Sequence, residues 1–246
     1  MRRLTKPELC NAIVQKLQSL TDAVRVASDP VKEAQKRWKA KHKASFDAIR
    51  SALEVMASGR GRCMYCEDSL GTDIEHFWPK AIYPERAFLW SNYLLACSHC
   101  NSNLKRTLFP LDTAGAPLLI DPTVDDPAQQ LLLVPTTGEY RAIGPKGPAS
   151  IAVFGLNDDS RPRKMPQGRR AAIISLTALF KDYAQTIATD PVRAEEIKLA
   201  ATEFPFSAVF DWIVATAKTK NAAHVLGADV VAIIVRYKVE YWRRQD

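Results

Sequence analysis

The 246-residue sequence predicts an α+β protein in which a compact, largely non-helical centre is flanked by two helical regions. Three observations carry this expectation. Apolar residues recur at helical spacing near both ends, four of the five cysteines fall in two C-x-x-C pairs within residues 63–100, and Pro and Gly crowd the stretch at 111–160.

The elements follow in chain order. Thr5 and Glu8 have the spacing of a capping box, and Leu9, Ile13, Leu17 and Leu20 then make a helical stripe. After Ser28-Asp29-Pro30 a second helix is expected from Val31 to Met56. Its middle, KRWKAKHK (36–43), is strongly basic around Trp38. Such a stretch either tracks phosphates beside an indole or is a solvated face with one tryptophan anchored in the core. Ser58-Gly59-Arg60-Gly61 ends that helix. Residues 63–110 read as non-helical until about Ser98, and LLLV (131–134) and SIAVF (150–154) read as short strands. From Gln167 the positions Ala172, Ile173, Leu176, Leu179, Phe180 and Tyr183 form one helical face. Pro191 and Pro205 open further helices over 191–203 and 205–220. The β-branched tail at 228–242 fits a buried helix or a strand, with helix favoured by context. The pattern divides the chain into a basic N-terminal helical region (1–60), a core (61–112), a connecting region with short strands (113–160) and a C-terminal helical region (161–246).

Composition narrows the function classes. Residues 1–60 hold 13 Lys/Arg against 6 Asp/Glu, residues 61–130 hold 5 against 9, and residues 131–246 hold 16 against 12, so the formal +7 is uneven. Basic flanks suit a polyanion and an acidic centre suits a cation site. No apolar run is long enough to span a bilayer, and MRRLTKPELC lacks the apolar stretch of a signal peptide, so a cytoplasmic protein with no membrane contact is expected.

In a reducing compartment, Cys63-x-x-Cys66 and Cys97-x-x-Cys100 point to a metal rather than to disulfides. Four thiolates suit tetrahedral zinc, and each C-x-x-C turn presents a pair of sulfurs to one ion. Cys10 stands apart and is expected to be a small buried apolar residue. The thirty-residue loop between the pairs contains GTDIEHFWPK (71–80). Thr72, Ile74 and His76 alternate with Asp73, Glu75 and Phe77, as in a short strand, which would aim Glu75 and His76 at opposite faces. Pro79 makes a strand end near the pair. After Cys97 a helix is expected, with Asn101 on its first turn and Lys105 one turn later.

The run C-x-Y-C…I-E-H-F-x-P-K…W-x-N…C-x-x-C-N…K resembles the HNH endonucleases of the ββα-metal type, many of which brace their hairpin with a four-cysteine zinc site. Shorter pieces (FP at 109–110, IDP at 120–122, DDP at 125–127 and FGLN at 154–157) resemble the PtuB-like subgroup found in Septu and retron-associated phage defence. The resemblance implies a ββα-metal core and a structural Zn2+ on Cys63, Cys66, Cys97 and Cys100. It also implies His76 as general base, Glu75 and Asn101 as ligands of a catalytic Mg2+ or Mn2+, and Asn92 as the brace of His76. Relatives commonly carry Lys three residues after the Cys-adjacent ligand. Here Lys105 follows Asn101 by four, so either the helix start is shifted or Asn103 shares the ligand's task. Lys80, Lys105 and Arg106 flank the site and are candidates for holding phosphates.

The chemistry requires these residue types. Phosphodiester hydrolysis develops negative charge that a hard cation on oxygen ligands can neutralise, and an imidazole beside that cation stays unprotonated. The expected function is a metal-dependent DNA endonuclease leaving 5′-phosphate and 3′-hydroxyl ends, acting as the nuclease of an anti-phage system with an ATPase partner subunit. The alternative is a catalytically inactive, zinc-stabilised module that binds nucleic acid or a partner. No element comparable to a recognition helix is evident, so little base specificity is expected.

Overall fold

The computed structural model describes residues 1–160 and 162–243. It is an α+β arrangement, rich in helix, with two small antiparallel hairpins. One hydrophobic cluster runs from Met1 to Val239, so all parts of the chain contribute to a shared core.

The first ten residues are extended rather than helical, and α1 spans Asn11–Arg25. The capping box at Thr5 and Glu8 does not form because tertiary partners claim this backbone. Leu4 N–H donates to the Pro122 carbonyl at 2.8 Å, and the Pro7 carbonyl accepts from Trp90 Nε1 at 3.1 Å. Cys10 thus becomes the residue ahead of α1 and is exposed, not buried as expected.

The long helix expected from Val31 to Met56 is two helices, α2 (Pro30–Lys39) and α3 (Lys43–Met56). The His42 side chain accepts from Ser45 N–H and restarts the chain as α3. The break has a packing consequence. Eight residues along one helix would separate Trp38 and Phe46 by about 12 Å, whereas their ring centroids lie 5.3 Å apart, edge to face.

A distorted turn, α4 (Ser58–Gly61), follows α3. Gly59 has φ +37°, and a Cβ there would fall 2.5 Å from the Glu203 carbonyl oxygen, so only glycine lets the two segments meet. The centre then contains β1 (Asp73–His76) paired with β2 (Tyr93–Ala96), in the register Asp73 to Ala96 and His76 to Tyr93. A π-helical segment, His99–Lys105, comes next.

Beyond it lie β3 (Leu131–Leu133) and β4 (Tyr140–Ala142), again antiparallel. The SIAVF segment is not a strand: it lies mostly in α5 (Gly147–Val153). A short apolar run does not distinguish strand from helix. Here Ser150 faces inward, and its hydroxyl accepts from Ile120 N–H at 2.9 Å. The C-terminal part packs α6 (Met165–Thr186), α7 (Pro191–Thr202), α8 (Ser207–Thr216), α9 (Ala222–Leu226) and α10 (Ala228–Arg236). The α6 stripe is buried at Ala172, Leu176, Phe180 and Tyr183, as its spacing predicts, and the 228–242 tail begins as helix. No helix among the described residues is long and apolar enough to cross a membrane.

Candidate metal centre and the His76 site

Cys63, Cys66, Cys97 and Cys100 are buried and unpaired by disulfide, and their sulfur atoms all lie within 4.8 Å of one another. Cys66 Sγ and Cys97 Sγ are 3.9 Å apart. Four sulfurs at about 2.3 Å from a tetrahedral ion would be separated by about 3.8 Å, so this set fits zinc. The knuckles are tied to the hairpin: Met64 N–H donates to the Leu95 carbonyl at 2.8 Å, and Cys100 N–H points to Cys97 Sγ at 3.4 Å. Tyr65 stacks on Phe154 with centroids 3.9 Å apart, fixing the first knuckle against the end of α5. Arg163 Nη1 lies 3.9 Å from Cys100 Sγ and brings positive charge to the cluster. Burial pushes the Cys63 thiol well above its usual range, while a hydrogen bond from Cys100 pulls Cys97 down. A bound cation would resolve that conflict by stabilising all four thiolates together.

The hairpin positions the acid–histidine pair. His76 is the last residue of β1 and is only 4% exposed. Its Nε2 is 3.0 Å from the Ala87 carbonyl, which also accepts from Tyr93 Oη at 2.8 Å. A carbonyl can only accept, so Nε2 carries the ring proton and Nδ1 keeps the lone pair. The indole of Trp38 meets the imidazole edge to face at 4.4 Å, and Tyr93 lies 5.3 Å away. Burial, reinforced by the charges of Lys80, Lys105 and Lys41, holds His76 down to about pKa 3 against the pull of Ala87, so the ring is neutral.

Glu75 faces another neighbour. Lys105 Nζ lies 2.5 Å from its carboxylate, with side-chain exposures of 0% for Lys105 and 5% for Glu75. The same ammonium donates to the His76 carbonyl at 2.9 Å. Burial raises the Glu75 pKa, and the Lys105 charge opposes that rise. Lys105 therefore has no surface to offer a phosphate here. Its reach depends on the π-helical geometry: Arg106 N–H bonds to the Asn101 carbonyl five residues back at 2.7 Å. The wider turn takes in one residue more between Asn101 and Arg106 than an α-turn would.

Asn101 Nδ2 donates to Asp73 Oδ2 at 3.0 Å. The structure thus pairs Asn101 with Asp73, a residue the sequence reading did not select, and Asp73 shares the strand face of Glu75. Asn92, 3% exposed, spans the loop after β1. It accepts from Trp78 N–H at 2.7 Å and donates to the carbonyls of Trp78 at 3.0 Å and Arg86 at 2.9 Å. Lys80 is half-buried beside Trp38, and Arg106 is exposed. Burial lowers the Lys80 pKa, and Glu75 partly restores it. Sequence reasoning missed the Ala87 carbonyl, Asp73 and Arg163. For Asp73 alone a signal existed, its place two residues before Glu75 on one strand face.

Comparison with known proteins gives a partial likeness. The chain is 31% identical over 114 residues to the Septu protein PtuB of Bacillus thuringiensis, covering 44% of this chain and 42% of that protein. The chain thus matches less than half the length of that relative. No family model matches, and no solved structure matches.

Proposed function

We propose that this protein is an HNH-type, metal-dependent DNA endonuclease and the nuclease component of an anti-phage system. The observation that carries the reading is a neutral imidazole at the end of a thiol-braced hairpin, with Nε2 committed to Ala87 and Nδ1 left to accept a proton. That tautomer leaves on Nδ1 the lone pair with which a general base takes a proton. The partial likeness to a Septu protein supports the defence role.

In the proposed reaction, His76 Nδ1 takes a proton from water. The water oxygen bonds to phosphorus, the bond from phosphorus to the 3′ oxygen breaks, and that oxygen takes a proton from solvent, leaving 5′-phosphate and 3′-hydroxyl ends. Asn92 holds the loop from Trp78 to Arg86, and with it the Ala87 carbonyl that orients the ring. A divalent cation such as Mg2+ or Mn2+, when bound, would neutralise charge developing on the phosphate oxygens. Glu75 and Asn101 would hold it. Their chemistry suits a hard ion: a carboxylate and an amide each offer an oxygen donor, and the Asn101 amide oxygen accepts no hydrogen bond among the described residues. Lys105 would then share Glu75 with the ion.

Purified protein should nick plasmid DNA with Mg2+ or Mn2+, and His76→Ala should remove nicking while zinc stays bound. Full activity in that variant would refute the assignment of the base. One observation favours a second reading, a zinc-stabilised binding module without catalysis: the Lys105 ammonium already neutralises Glu75 at 2.5 Å. DNA binding with no cutting across a series of divalent metals would select it. An ATPase partner belongs to the first reading, and co-purification with a neighbouring ATPase tests it.

A further inference from the structure

The N-terminal helices bring a second set of groups to His76. Trp38, near the end of α2, lies with its ring 4.4 Å from the imidazole, and two ammonium groups face the same indole. Lys41 Nζ is 4.9 Å from the ring centroid and Lys80 Nζ is 5.3 Å from it. Lys41 comes from the α2–α3 junction and Lys80 from the loop after β1, so two distant segments converge. Lys41 donates to the Trp38 carbonyl at 3.3 Å, and among the described residues neither lysine forms a salt bridge with a carboxylate. Lys105, the third nearby ammonium, is by contrast paired with Glu75.

Glu75 acts on Lys80 only at a distance and Lys41 has no carboxylate partner among the described residues, so the two cations beside one aromatic ring repel each other and an anion between or beside them would stabilise the arrangement. A polynucleotide offers both required features: phosphates for the ammonium groups and bases for the indole face. We propose that Trp38, Lys41 and Lys80 form the seat of the substrate strand, delivered to the His76 site by the N-terminal helices. The inference rests on the endonuclease reading and deepens it. The basic KRWKAKHK segment is then not a diffuse charged face. It contributes one stacking ring and one phosphate contact to the place where hydrolysis occurs.

Binding of a labelled single-stranded oligonucleotide to the full, zinc-loaded chain, without added Mg2+ or Mn2+ and over a salt series, tests the seat. Lys41→Gln should weaken binding about fivefold and reduce the slope of log affinity against log salt by about 0.7. Trp38→Ala should weaken it about tenfold, the scale of one lost base stack, whereas Trp38→Phe should keep most of it. Trp38 also packs in the core, so the lysine variants decide the matter if Trp38→Ala fails to fold. A folded Lys41→Gln/Lys80→Gln double variant with wild-type affinity and slope would overturn the proposal. Plasmid nicking run in parallel separates the two ideas. Weakened strand binding with no nicking even by the wild type would leave the seat standing and remove the endonuclease. Nicking by the double variant with unchanged KM would do the reverse.

Discussion

Lys105 and Glu75 form an ion pair with 2.5 Å between nitrogen and oxygen, and both side chains are almost wholly removed from solvent. The pair joins the π-helical segment to β1, and through the His76 carbonyl it ties the same ammonium to the strand end. It sets the local charge at the candidate site. A buried carboxylate that would attract a cation has one supplied by its own chain.

Breaking this pair from one side should be costly. Lys105→Met leaves Glu75 as an uncompensated buried charge, a change worth about 3–5 kcal/mol. The double variant Glu75→Gln/Lys105→Met should lose less than the sum of the single changes. Denaturant unfolding of the three variants measures the coupling, and strict additivity would show that the pair contributes none.

The sulfur cluster should be structural. One zinc per chain is expected by elemental analysis. Cys97→Ser should lower that content and destabilise the fold by several kcal/mol, because ion binding to such a cluster is itself folding free energy. A variant with full stability and no zinc would show that packing alone holds the knuckles.

Asn92 should matter for both stability and turnover. Alanine there removes hydrogen bonds to Trp78 and Arg86 from a position 3% exposed. A loss of about 2–3 kcal/mol is expected from the unpaired backbone groups. In nicking assays kcat should fall with KM little changed, because the loop that carries Ala87 is loosened while strand contacts remain.

Lys6 gives a pH dependence with a definite sign. Burial depresses its pKa from 10.5 to about 8, against the opposing charge of Asp121, and its ammonium bonds to the carbonyls of Trp90 and Tyr93. The folded state holds this proton less tightly than the unfolded chain does. The resulting stability is present in full above pH 10.5 and is lost as pH falls to 8. The gain over that window is up to about 3 kcal/mol. The Tm of the wild type relative to that of Lys6→Met should therefore rise from pH 8 to pH 10. A constant difference would contradict the depressed pKa.

Much of this molecule was legible in the chain itself. The two C-x-x-C pairs converge as their spacing predicts, because each is a local turn that presents two sulfurs to one side. The α6 stripe is buried at its periodic positions, since an amphipathic face needs only a neighbour to cover it. The strand at 73–76 follows from alternation in a few adjacent residues.

Tertiary structure alone decided the rest. No local signal divides 31–56 at His42. The division follows from the fit of Trp38 and Phe46 around His76 and Tyr93, whose partners lie far along the chain. The capping box at Thr5 lost to longer-range bonds from Leu4 and Pro7. Lys105 turned inward because a buried carboxylate is too costly to leave alone, and the π-turn provided the reach. Sequence alone determined which thiols, carboxylates, amides and imidazole the chain brings to this region. Burial and pairing, which depend on groups brought together from distant segments, decided which atoms are neutral, which are charged and which are free to act.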